Sequence, residues 1–309
     1  MKYKDWLNVW LKNYIKPTAK IRTYERYSQV AEQHIISSIG EEDIDDITPL
    51  KLQLFVTDLM NDGNLLTGKG LAANSVNGII TVIQSSLKLA YTLGETKKYI
   101  ADRIKRPKPR EKVVTCFSLS EQKKIEQAIL TVKRSKMFGV VLCLYTGLRI
   151  GELLSLKWSD VDLAKGTLTV TKTCYDGKDE NGKLCRIEDT PKTISSRREI
   201  PLPKQIIQLL REYKKVGNSR YIISSNGKPC YVRSYQRSFS LLLKELNIEH
   251  KGFHSLRHTF ATRAIECGMD VRTLSEILGH KNPTITLNRY AHSMTEHKKE
   301  MMNKLGKML

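Results

Sequence analysis

The chain has 309 residues, 40% of them hydrophobic and 27% charged, with a formal net charge of +20. That length fits one large domain or two, and the apolar share is ample for globular cores. No run approaches the roughly 20 apolar residues of a membrane span, and the opening "MKYKDWLNVW" breaks its apolar pattern with charges, unlike a signal core. A soluble, cytoplasmic protein with no membrane partner is expected.

The positive excess points to nucleic acid, because Lys and Arg facing phosphates release counterions. It is uneven: residues 1–110 carry a net +5 and residues 111–309 a net +15. The DNA-gripping surface is therefore expected mostly in the second part. Six cysteines are scattered, at 116, 143, 174, 185, 230 and 267, with no C-x-x-C pair, so ordinary reduced thiols are expected rather than a zinc ribbon.

In chain order, the first hundred residues read as helices. Trp6, Val9, Trp10 and Leu11 begin one apolar stripe; Tyr24, Tyr27, Val30 and Ile35 suggest a second. Thr48-Pro49 opens a third, with Leu50, Leu54, Phe55 and Leu59. Val76, Ile79, Ile80, Ile83, Leu87 and Ala90 mark the clearest helix. The stretch "NDGNLLTGKG" between them is a loop. A small four-helix domain over 1–104 is expected. The segment 105–112, "KRPKPREK", is basic and proline-bearing, which predicts an extended linker. Its Lys105, Arg106 and Lys108, with Arg110, are candidate DNA contacts.

Residues 113–309 read as a mixed domain. Helical patterns cover about 119–157, and "GTLTVTKT" alternates as a strand should. "YDGKDENGKL" reads as a long turn, "REIPLP" as a further strand, and the pattern from Lys204 onward is mostly helical. Met294, Met301, Leu305 and Met308 place an apolar stripe on a terminal helix, 294–309. The fold class expected is mainly α with a small antiparallel β-sheet. Phosphate loops of the Walker or dinucleotide type are absent, so no nucleotide cofactor is expected.

The chemistry-bearing stretches are few. In "HSLRHTF", His254, Arg257 and His258 share one helical face. That spacing can hold zinc, but a permanent guanidinium beside the pair disfavours a cation and favours an anion; no metal is expected. Asp270 is a plausible N-cap and Gly279 a good C′ residue for the next helix, with His280 directly after it. Asn282-Pro283 starts another helix, which carries Tyr290. Upstream, in "YTGLRIGELLSLKW", Thr146-Gly147 makes a turn, Arg149 opens a helix, and Glu152 sits where it can hold Arg149. Taken alone, each has a plain structural reading: a surface ion pair, a capping histidine, one tyrosine among thirteen.

Together, "TGLRIGELLSLKW", "HSLRHTFAT" and "LGHKNPTITLNRYAH", in that order, resemble the tyrosine recombinase (phage integrase) family, nearest in flavour to integrases of Gram-positive conjugative transposons and prophages. The resemblance implies a helical core-type DNA-binding domain followed by an α+β catalytic domain. It implies catalytic roles for Arg149, Lys192, His254, Arg257, His280 and Tyr290, with Glu152 in support. Lys192 is the best match to the family's hairpin lysine, with Lys172, Lys178 and Lys183 nearby. The chain starts at the "WLNVWLKNY" helix, so no appended arm-binding domain is expected.

The implied reaction is a transesterification needing neither cofactor nor metal. Tyr290 attacks a DNA phosphodiester, a 3′-phosphotyrosyl link stores the bond energy, and the 5′-hydroxyl leaves. Arg149 and Arg257 clamp the phosphate oxygens, His280 adds a donor, Lys192 protonates the leaving oxygen, and His254 orients and shuttles protons near the tyrosine. His258 is expected to be a buried, hydrogen-bonded histidine. Implied partners are duplex recombination sites, three further copies in a tetramer linked by the C-terminal helix, and an excisionase. Integration and excision of a mobile element is the leading reading. The rivals are a Xer-type or invertase-type recombinase, a type IB topoisomerase, and an inactive DNA-binding accessory protein.

Overall fold

The computed structural model describes residues 1–109, 114–131, 135–179, 181–189, 197–216, 219–280, 282–284, 287, 302, 303 and 306. The chain divides into two compact units, Met1–Lys112 and Val113–Leu309. Among the described residues no helix is long and apolar enough to cross a membrane.

The first unit is built on four helices. α1 (Tyr3–Trp10) runs on through Leu11–Ile15 and Lys16–Thr18, and α2 (Ile21–Val30) through Ala31–Ile36 and Ser37–Ile39. α3 spans Pro49–Asn61 and α4 Ala73–Leu93. On α1 the buried set is Tyr3, Trp6, Leu7, Trp10 and Leu11, an i, i+3, i+4, i+7, i+8 stripe, and Val9 lies outside it. Thr48 caps α3 as expected, accepting from the Lys51 N–H, with Pro49 in the first turn. The buried face of α3 differs from the expected one. Leu52, Phe55, Val56 and Leu59 point inward, whereas Leu50 and Leu54 are 69% and 56% exposed. Phe55 and Leu59 belong to either stripe, so only the position of neighbouring helices could choose between them. The polar atoms that Trp6, Tyr3 and Ser86 bring into this core are paired: Trp6 Nε1 donates to the Ser86 carbonyl at 3.0 Å, and the Tyr3 and Ser86 hydroxyls meet at 2.7 Å.

The start of the basic segment, 105–109, forms neither helix nor strand and is tied to this unit. The Lys105 N–H donates to Gln53, the Asn77 amide donates to the Pro107 carbonyl, and Arg106 donates to Asn77 O, Thr81 and Gln84 along α4.

In the second unit α5 (Leu119–Thr131), α6 (Phe138–Thr146) and α7 (Ile150–Ser155) precede the strands. α6 buries every residue except Tyr145, the mark of a central helix apolar on all sides. β1 (Val161–Asp162), β2 (Thr167–Val170) and β5 (Arg198–Pro201) form an antiparallel sheet in the order β1-β2-β5. Between β2 and β5 a separate ribbon pairs β3 (Thr173–Lys178) with β4 (Leu184–Asp189). Half of the stretch read as a long turn is therefore strand; the turn proper is held by Asp179, whose Oδ1 accepts from the Asn181 and Lys183 N–H groups. Asp and Gly in β3 are poor strand formers and hid it. Asp176 is there to cap a helix: its two oxygens accept from the Val232 and Arg233 N–H groups.

α8 (Lys204–Val216) is followed by a two-residue pair, β6 (Ser224–Ser225) with β7 (Lys228–Pro229), that the helical reading passed over. Then come α9 (Val232–Glu245), α10 (His254–Glu266) and α11 (Val271–Leu278). α10 packs on α6, and Ala261, Ala264 and Ile265 meet Leu274 and Leu278 of α11. Of the expected C-terminal helix only Met302, Asn303 and Gly306 are described, each helical and exposed; the rest of 294–309 lies outside the described residues.

Candidate active site

The site begins at the corner between α6 and α7. Gly147 ends α6 with φ +64°. A Cβ there would lie 2.6 Å from Phe260 and 2.8 Å from Leu278, so only glycine lets the corner approach α10 and α11 this closely. Arg149 is the N-cap of α7, and Glu152 reaches back to it in half of a capping box. Oε2 of Glu152 accepts from the Arg149 N–H at 2.9 Å, and Oε1 accepts from Arg149 Nη1 at 2.8 Å.

Glu152 is buried, its side chain 4% exposed, and it has a second arginine. Arg198, the first residue of β5, donates from Nη1 to Oε1 at 3.1 Å and from Nη2 to Oε2 at 2.9 Å. Four N–H donors thus fill one carboxylate. Burial pushes the Glu152 carboxyl up, but the Arg198 hydrogen bonds and charge, with Arg149 behind them, outweigh it and hold the group down to about 2.

Sequence reasoning missed Arg198. The signal was there: it shares the parity of Ile200 in an alternating strand, and an arginine on a core face needs a carboxylate.

Arg257 extends the frame from α10. It is 2% exposed, donating from Nη1 to the Gly147 carbonyl at 2.8 Å and from Nη2 to the Leu278 carbonyl at 2.7 Å. Its Nη2 also meets Nε2 of His280 at 2.9 Å. His280 is placed by the end of α11, where both expected caps are present: Asp270 accepts from the Thr273 N–H, and Gly279 turns the chain at φ +64°. The Gly279 N–H donates to Glu276 O and the His280 N–H to Ser275 O, the paired bonds of a Schellman turn. Asn282 then accepts from the Thr284 N–H, as a cap should.

His254 is the exposed first residue of α10, with its ring 4.6 Å from that of His258 and edge-on to it. His258 is half-buried rather than buried, one turn along from the exposed His254. The structure thus brings Arg149, Glu152, Arg257 and His280 into one bonded frame, with His254 on the same helix as Arg257. Lys192, Tyr290 and Arg110 lie outside the described residues. Of the alternative lysines, Lys178 and Lys183 flank the ribbon's turn and Lys172 precedes its first strand. A half-exposed arginine held by a carboxylate, and a histidine at a helix end bonded to a second arginine, are groups suited to an oxyanion with developing charge.

Known proteins resemble the chain throughout. The model "Phage integrase family" matches residues 118–297, and "Phage integrase, N-terminal SAM-like domain" matches residues 2–60. The chain belongs to the phage integrase family, the tyrosine recombinases, whose members are DNA strand-transferring enzymes. A "Tyrosine recombinase XerC-like" protein of Caldanaerobacter subterraneus subsp. tengcongensis is 28% identical over 98% of this chain and 82% of its own. The "ICEBs1 integrase" of Bacillus subtilis is 26% identical over 94% of this chain and 79% of its own. The fold is shared with the Tn1549 transposon integrase solved with transposon right end DNA (TM-score 0.79, 22% identity, 99% of this chain and 100% of that one). It is also shared with lambda integrase in a tetramer bound to a Holliday junction (TM-score 0.70, 22% identity, 92% and 79%).

Proposed function

We propose that this recombinase integrates and excises a mobile DNA element, acting on duplex recombination sites as a tetramer and with an excisionase for the reverse direction. The ICEBs1 integrase relative and the transposon-integrase fold over the whole chain support that assignment. In the reaction, the Tyr290 oxygen attacks phosphorus while the bond to the 5′-oxygen breaks. Lys192 supplies the leaving oxygen with its proton, and His254 takes up the tyrosine's. A tyrosine has an ordinary pKa near 10, so surrounding positive charge has to favour its ionised form. A different 5′-hydroxyl then reverses the step on a new strand.

The observation that carries the reading is the frame around Glu152 and Arg257. It leaves Arg149 partly exposed at the corner, with His280 bonded to Arg257, two donors for the non-bridging oxygens. Arg257 itself spends two donors on backbone carbonyls, so its part is charge and placement as much as direct contact. Lys105, Arg106, Lys108 and Arg110 are proposed to follow the DNA backbone.

The test is covalent trapping. On a nicked suicide duplex taken from the junctions flanking its own gene, the protein forms a protein–DNA adduct that survives denaturation, and Tyr290→Phe forms none while binding normally. An adduct in Tyr290→Phe refutes the nucleophile. Exchange at a chromosomal dimer-resolution site instead of the element's ends makes the enzyme Xer-type. Relaxation of plasmids without exchanged products makes it a topoisomerase.

A further inference from the structure

We propose that Arg198 is a positioning residue of the strand-transfer site: it grips Glu152 and the end of α11 at once, and so fixes where Arg149 and His280 meet the phosphate. The inference rests on the phosphate-binding roles given to those two residues above. It adds a residue that touches no substrate.

The geometry divides the work. Arg198 places one nitrogen on each oxygen of Glu152, the bidentate fit that lysine cannot reproduce. Its remaining nitrogen, Nε, donates to the Ile277 carbonyl at 2.5 Å, three residues before His280. It lies so close under Gly279 that a Cβ there would come within 3.0 Å of the Arg198 side chain. Arg198 as a whole is buried, 8% exposed. One side chain thus joins the helix opened by Arg149 to the turn that carries His280.

Removing Arg198 has a definite consequence. The groups facing Glu152 are Arg149 from its own helix, Arg198 from β5, and the Cys143 thiol from α6, which burial pushes up; Arg257 of α10 bears on that same thiol. Without Arg198, burial is opposed only by Arg149, and Glu152 takes up a proton more readily. A protonated carboxyl keeps fewer lone pairs for the Arg149 N–H groups, and the fork of Arg149 is released. Merely loosened packing would slow the enzyme equally at every pH.

The experiment compares the full chain with Arg198→Met, Arg198→Lys and the double variant Arg198→Met/Glu152→Gln. Single-turnover adduct formation on the nicked junction duplex is followed from roughly pH 5.5 to 8.5, and binding is read by gel shift. Arg198→Met should slow adduct formation by about 10²-fold at neutral pH, with binding kept within about threefold. Its deficit should deepen toward acid, and the double variant, which has no carboxyl to titrate, should lose that acid limb. Arg198→Lys, which keeps the charge, should keep a flat profile at a reduced rate. A wild-type rate, or a uniform slowing with no acid limb, overturns the proposal. The carbon-13 titration of the Glu152 carboxyl reads the clamp without DNA. It should move up in Arg198→Met, or by a smaller step in Arg198→Lys if the first variant folds poorly; an unmoved titration overturns the clamp. A wild-type chain that forms no adduct refutes the phosphotyrosyl reading alone, and the titration then decides the clamp.

Discussion

Arg257 donates from Nη2 to Nε2 of His280 across 2.9 Å. A guanidinium has no lone pair to offer, so the ring nitrogen accepts, and the proton of the neutral ring sits on Nδ1. Two backbone carbonyls, Gly147 and Leu278, share the same guanidinium.

Arg257→Lys should therefore be costly although it conserves charge. A lysine cannot span both carbonyls and the ring, and bonds from charged donors contribute about 1.5–3 kcal/mol each. A loss of about 2–4 kcal/mol in urea unfolding is expected, with adduct formation depressed even at temperatures where the variant stays folded. Stability within about 0.5 kcal/mol of wild type would show that the bridge contributes little.

The held-down Glu152 predicts the acid side of the stability curve. Its folded value, about 2, lies below the ordinary 4.5, so its stabilisation is complete above the ordinary value and is lost as pH falls through about 2. The contribution is on the order of 3 kcal/mol. Glu152→Gln should flatten the stability profile between pH 4.5 and 2, measured by chemical denaturation across that window. An unaltered slope there would place the acid sensitivity elsewhere.

Much of this corner was legible in the sequence. Arg149 and Glu152 stood three apart at a helix start, and Gly279 announced the turn before His280, because caps and helix faces are local. What was hidden depends on residues distant in the chain. Arg198 gains its meaning only from Glu152, 46 positions away, and from a carbonyl of α11. The ribbon β3–β4 was masked because Asp176 serves a helix end rather than a strand preference. The choice between Leu50 and Leu52 on α3 needed the neighbouring helices, since both fit a helical period.

The basic segment predicts two separable effects. Arg106 is bonded to Thr81 and Gln84, so Arg106→Ala should destabilise the first unit as well as weaken DNA binding. Lys105→Ala with Lys108→Ala should leave stability unchanged and reduce the log–log salt slope of binding by up to about 2, one per phosphate lost. A slope identical to wild type would leave these lysines no contact with the backbone.

Deleting residues 294–309 should spare binding of one protomer to a half-site but remove cooperative assembly and strand exchange. In the sequence, Met294, Met301, Leu305 and Met308 recur at helical spacing, and methionine's unbranched side chain suits a contact that must form and release. Gel-shift titration on single and paired half-sites measures this. A truncated chain that still assembles and recombines would assign the tail to its own domain.

The last two carbonyls of α11 are claimed by different arginines: Ile277 by Arg198 from the sheet, Leu278 by Arg257 from α10. Successive carbonyls of a helix are rotated by about 100° and displaced by about 1.5 Å, so two such grips taken together set both the rotation and the axial position of the helix. A single insertion or deletion within Val271–Leu278 would turn both carbonyls away at once, whatever residue was added. This short helix should therefore accept changes of side chain on its exposed face far more readily than any change of length.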